Sequence, residues 1–168
     1  YSDSSKIFLT ALAVKLVYMA VVVTQNPDHI TFYDSANYLS IAENIVRGKG
    51  FASIPYFIGM PNCGEMVSSL GTVVRPDTFR TPLYPYFLIV ASLGDTGNLA
   101  RMVLFQALVT SATPVIVYNL ARQVGRSRRM ASIVAIVACV EPPSLGYSVK
   151  LMTESIFTLF LWTSVYYL

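Results

Sequence analysis

Charge is what this sequence is short of. Only 12% of its 168 residues are Asp, Glu, Lys or Arg, while 54% are hydrophobic and the mean hydropathy is +0.55. Ordinary soluble domains carry roughly twice that charge, which excludes a water-facing surface and leads us to expect an integral membrane protein. The net charge of +3 is too small to suggest a nucleic-acid partner. Cysteine is nearly absent. Cys63 stands in a polar stretch and Cys139 in an apolar run, so neither a disulfide framework nor a thiolate metal site is indicated. His29 is the lone histidine and has no ligand-like spacing around it, so it reads as a loop residue. Gly48-Lys49-Gly50 lacks the spacing of a phosphate-cradling loop. The opening YSDSSK has no initiator Met, and the apolar run at residues 155–168 is short of the ~20 residues a span needs. We therefore expect an N-terminal fragment of a larger polytopic protein.

What is present is a series of apolar runs around one polar stretch. Residues 7–23 are apolar except for Thr10 and Lys15, and no small-residue cleavage site follows them, so they read as a signal anchor. Lys15 is costly at the bilayer centre and is expected to snorkel or to face a partner. Asn26-Pro27-Asp28 ends that run. From Asp34 the pattern turns amphipathic, with Tyr38, Ile41, Ala42, Ile45 and Val46 on one helical face. The spacing predicts an interfacial helix over 35–47, with Asp34 as N-cap and Gly48 just past the end. Residues 51–79 have no clear period and read as an ordered loop.

Residues 82–93 are apolar but too few to span, which predicts a re-entrant or juxtamembrane helix. Residues 99–120 form a full span with an expected kink at Pro114. Residues 130–149 form another, interrupted at Glu141-Pro142-Pro143, and the run at 155–168 begins a further one. The fold class is thus an all-α polytopic membrane protein with a long first extracytoplasmic loop at about 24–98, the whole reading as the N-terminal part of one transmembrane domain. Arg122, Arg126, Arg128 and Arg129 crowd one short loop, which the positive-inside rule places in the cytoplasm. The long loop and Glu154 then lie outside, and Lys6 lies inside.

On that outer side Asp34 is the leading candidate for chemistry. A carboxylate there can deprotonate an acceptor hydroxyl or ligate a divalent cation, although a plain helix cap would also explain it. Arg80, Arg75, Arg47 and Lys49 supply cations. Arg80 stands out because it adjoins the rigid Thr81-Pro82 step into an apolar helix, and a guanidinium binds phosphate bidentately. Glu154, between Thr153 and Ser155, reads as either a helix cap or a second site acid. Glu141 sits in an apolar run and needs a partner. The 11 tyrosines, Tyr84 among them, fit interfacial belts.

The order of these elements resembles a known family. D-S-x-x-Y-L-x-I-A-E-N-I-V-R-G-K-G-F, then R-T-P-L-Y-P-Y-F, a span, a basic loop, a span and T-E-S-I-F are similar to the N-terminal part of polytopic GT-C glycosyltransferases. The likeness is to family 39, the protein O-mannosyltransferase and aminoarabinose-transferase branch, and to its Rgt-type bacterial members. It implies a GT-C-like helix bundle in a plasma membrane, bacterial for the Rgt-type branch. It also implies inverting transfer of a sugar from a polyprenyl-phosphate donor to a lipid, glycan or protein acceptor outside the cell. Asp34 would correspond to the family's catalytic acid, Arg80 to its phosphate-facing base and Glu154 to its later acid. Tyr84, in the proline-tyrosine element, and Arg47 and Lys49 would join the substrate site. Several branches carry an Asp-Glu pair at the first position, whereas Ser35 follows Asp34 here, so a divalent metal ion is left open as a cofactor. The competing reading is a transporter or a non-catalytic lipid-binding protein whose acids handle ions.

Overall fold

The computed structural model describes residues 2–25, 30–31, 33–53 and 75–168. The expectations for Asn26 to Asp28, His29, Cys63 and most of the 51–79 loop lie outside those residues. In chain order the elements are α1 (Ser2–Gln25), α2 (Tyr33–Val46), β1 (Ala52–Ser53), β2 (Arg75–Pro76), α3 (Leu83–Ser92), α4 (Leu99–Thr110), α5 (Ala112–Gln123), α6 (Arg128–Val140), α7 (Pro142–Val149) and α8 (Glu154–Tyr167). They fall into two compact units, Tyr1–Phe32 with Ala100–Leu168, and Tyr33–Leu99.

The first unit is the membrane-spanning one. Two helices are long and apolar enough to cross a bilayer, Asp3–Gln25 and the joined α4–α5 stretch Leu99–Gln123. The pair α6 and α7 adds a third if taken as one span, bent by 47°. Pro142 causes that break. The residue before a proline is pushed out of the helical region, and Glu141 has φ −59° and ψ 124°. Glu141 therefore stands exposed at the break between two helices rather than within one continuous helix. The interruption expected at Pro114 appears as a one-residue break at Ser111. Pro114 has no N–H for the Thr110 carbonyl and its ring crowds that carbonyl, so the ladder fails one turn upstream. The Thr110 and Ser111 hydroxyls bond back to the Gln106 and Ala107 carbonyls at 2.7 and 2.6 Å.

Small residues let these helices meet. Ala131, Ala135 and Cys139 recur every fourth position along α6 and pack with Ile7 and Ala11 of α1 and Tyr118 of α5. Such stripes permit the close backbone approach that drives association in lipid, where burial of apolar surface gains little. The opposite face of α6, with Ile133, Ile136, Val137 and Val140, is left exposed, as a lipid-facing surface is. At one end Arg128 grips Asp3 with two nitrogens, and the Tyr118 hydroxyl donates to the same carboxylate at 3.0 Å. At the other end the Leu151 N–H donates to the Ile30 carbonyl.

The second unit is built on α2 against α3. Ile41 and Ala42 are fully buried and Tyr38 nearly so, the face that the amphipathic spacing predicts. The helix opens at Tyr33, so Asp34 stands within the first turn and is not the N-cap. The C-terminus is as expected. Gly48 has φ +73°, its N–H reaches the Ile45 carbonyl, and the Lys49 N–H reaches Asn44. That pair of bonds is a Schellman close, and the left-handed residue in it favours glycine. The region read as an irregular loop contributes one short antiparallel ladder, Ala52 opposite Pro76 and Ser53 opposite Arg75. Helix α3 has ten residues, about 15 Å, too short to cross a bilayer.

Candidate functional site

Local hydrogen bonding brings Asp34 and Arg80 together from 46 positions apart. The Asn44 side chain donates to the Ala52 carbonyl at 2.8 Å, which fixes β1 against α2. The ladder then carries β2 alongside, and the Asp77 N–H donates to the Phe51 carbonyl. Both carboxylate oxygens of Asp77 are used. One accepts the Ser53 hydroxyl at 2.6 Å and the other accepts the N–H groups of Phe79 and Arg80 at 2.9 and 2.8 Å. Burial works to raise the Asp77 carboxyl, but these bonds and the Arg80 charge outweigh it and hold the group below its usual range. The turn at 77–80 is thereby fixed, and it aims Arg80 back at the start of α2.

There the Arg80 guanidinium donates to one oxygen of Asp34 at 2.5 Å. It also lies 5.1 Å from the centre of the Tyr38 ring and 5.3 Å from that of Phe79, within cation–π range. Burial works against its charge, yet bonding to Asp34 and Tyr38 prevails and raises its pKa further. The Asp34 side chain is 46% exposed against 17% for Arg80. A ligand can thus reach the carboxylate, while the cation is seated in an aromatic slot.

The other candidates are placed differently. Tyr84 is buried, its ring 5.0 Å from Tyr38 in an edge-on contact and 5.8 Å from Phe87, so it supports the slot from below. Arg47 is exposed and pairs with Glu43 at 2.6 Å. Arg47 and Lys49 sit at the far end of α2, about 20 Å from Asp34 at 1.5 Å per residue. They do not join the pair. Asp77, Ser53 and Asn44 escaped the sequence reading because only the ladder makes them neighbours. The spacing of Asp77 three residues before Arg80, a common turn arrangement, is the signal that could have found them.

Glu154 belongs to the membrane unit, where it opens α8 in the first turn and accepts from the Thr153 hydroxyl at 3.3 Å. It lines a cavity of about 480 Å³ together with Lys15, Thr110, Glu141, Ser155 and Trp162. Lys15 is buried there and donates to the Thr110 hydroxyl at 2.7 Å, so it faces a partner rather than snorkelling. A divalent ion needs several oxygen donors. Among the described residues no three ligating side chains gather, and in the second unit both Asp77 oxygens are engaged. Among the described residues, then, Asp34 has no pair of further carboxylates or histidines beside it with which to hold an ion.

Residues 81–168, just over half the chain, match the family model described as dolichyl-phosphate-mannose-protein mannosyltransferase. No curated protein and no solved structure matches the chain.

Proposed function

Because the chain belongs to the dolichyl-phosphate-mannose-protein mannosyltransferase family, we propose that it transfers a mannosyl or related glycosyl group from a polyprenyl-phosphate carrier to an acceptor hydroxyl on the extracytoplasmic face. The observation that carries the site assignment is the pairing of Asp34 with Arg80 on a turn fixed by Asp77. Asp34 takes the acceptor proton on its outer oxygen. The acceptor oxygen bonds to the sugar's anomeric carbon from the face opposite the phosphate. The anomeric carbon–oxygen bond breaks, its electron pair leaves on the phosphate, and configuration inverts. Arg80 holds the phosphate as that charge develops, an electrostatic contribution made where the transition state needs it. Glu154 is a separate candidate for substrate binding, within the membrane unit's own cavity.

The test is Asp34→Asn in the full-length enzyme. Asn keeps the size and loses the basicity. Turnover falls by about 10²–10⁴-fold, the usual range for losing a general base, and the melting temperature holds. An Asp34→Asn enzyme that transfers sugar at the wild-type rate ends this mechanism. The carrier reading retains one observation, the broken α6–α7 span beside a cavity that holds Lys15 and two acids. Sugar transfer by the purified protein decides against it.

A further inference from the structure

In its present position Arg80 already spends one of its guanidinium nitrogens, Nη2, on Asp34. Its guanidinium is committed to Asp34 at 2.5 Å, with the rings of Tyr38 and Phe79 beside it. While that bond stands, the acid is held by a cation, and a carboxylate in a charge-assisted bond is a poor acceptor for an alcohol proton. The same bond draws on one nitrogen of the fork, so a phosphate that takes that nitrogen competes with Asp34 for it.

We propose that Arg80 exchanges partners: the carrier phosphate draws the guanidinium off Asp34, and only then is Asp34 free to act as the base. The inference rests on the reading of Asp34 as base and Arg80 as phosphate ligand, and it adds an order of events. Donor binds first and arms the acid; acceptor is deprotonated second. Three features suit Arg80 to the exchange. Its backbone is pinned by the Asp77 carboxylate, so the side chain can swing while its root stays fixed. The aromatic faces hold a cation without directional bonds, so the guanidinium can turn between acceptors without losing them. Asp34 is half exposed and so can be rehydrated or meet a hydroxyl once released.

The exchange has a consequence opposite in sign to simple loss of a binding residue. Asp34 competes with phosphate for Arg80, so removing its charge tightens phosphate binding. The experiment measures affinity of the full-length protein for a short-chain polyprenyl monophosphate by titration calorimetry. Asp34→Asn is expected to bind it about three- to tenfold more tightly than wild type, the fold equivalent of losing one partly exposed ion pair as competitor. Asp95→Asn removes an exposed acid of the same unit that touches no part of this site, and leaves the affinity unchanged. Should Asp34→Asn fail to fold, Asp34→Ser carries the same measurement. Affinity equal to or weaker than wild type in a folded Asp34 variant overturns the exchange, as does equal tightening by Asp95→Asn, which would reveal only a general field effect. The base assignment is judged separately by turnover. A variant that binds more tightly but still transfers sugar defeats that assignment and leaves the exchange standing.

Discussion

Asp77 shows how one carboxylate can govern a site it does not enter. Three donors converge on it, two of them backbone N–H groups of the segment that ends in Arg80. Hydrogen bonds to a charged acceptor are the stronger kind, and Asp77→Ala removes all three, for an expected loss of about 2 kcal/mol from this unit. The site is affected too: kcat falls and donor KM rises, because displaced Arg80 no longer meets the phosphate either in the bound donor or as charge develops on it. The pH dependence has a definite sign. The folded-state pKa of Asp77 is depressed, so its contribution is fully present above the unfolded carboxylate range of about 4. It is lost as pH falls through the lower folded value. The stability gap between wild type and Asp77→Asn should therefore be flat near neutrality and shrink only in acid. A gap that closes between pH 6 and 8 would assign the effect to another group.

At the scale of elements, Lys15 and Thr110 join α1 to α4 by a bond buried within apolar helices. Thr110 passes the link on to the Gln106 carbonyl, and the Gln106 amide donates to the carbonyls of Tyr147, Ser148 and Lys150. This polar seam holds the end of α7 in place where the chain turns into α8. The two ends of the Lys15–Thr110 bond are not equivalent. Lys15→Met removes the buried charge and leaves the Thr110 hydroxyl bonded to Gln106, so it is expected to be neutral within about 1 kcal/mol or stabilising. Thr110→Val strands a buried ammonium and should cost about 1–3 kcal/mol or more. Thermal melts of the full-length protein in one detergent compare the two; a Lys15→Met protein that is the less stable contradicts this account.

For the molecule as a whole, the Asp3–Arg128 grip fixes the start of α1 and the arginine-rich turn at one end of the membrane unit. The Ile30–Leu151 bond marks the other end. That arrangement agrees with the positive-inside placement of Lys6 and the arginine loop on one side. We expect Ser69→Cys, in a background with Cys63 and Cys139 replaced, to react with an impermeant thiol reagent in intact cells. Arg126→Cys should react only after permeabilisation. Labelling of both from the same side would make α3 part of a further span and would move Asp34 to the cytoplasm.

Composition is enough to fix the solvent in which the chain folds, since 12% charge cannot cover a water-facing surface. Residue order likewise gives most of the helices, because apolar runs, an amphipathic face and Gly48 are local signals that no tertiary contact has to supply. Residues with strong chemical identity, Asp34 and Arg80, could be picked out for the same reason. The resemblance already assigned that pair to one site, but the contact that joins them is set by long-range bonds. The Asp34–Arg80 pair depends on two strands of two residues each and on a side chain, Asn44, reaching a carbonyl eight positions on. Such short ladders have no periodicity to detect. The cap expected at Asp34 gave way to an ion pair because a charge arriving from 46 residues away is invisible to helix-end rules. The interruption at Glu141-Pro142-Pro143, by contrast, was legible, because Pro142 controls the backbone before it whatever the tertiary surroundings. Local rules fix elements, and long-range bonds choose partners, which is why Asp34 and Arg80 were legible while the Asn44, Ser53 and Asp77 bonds that join them were not.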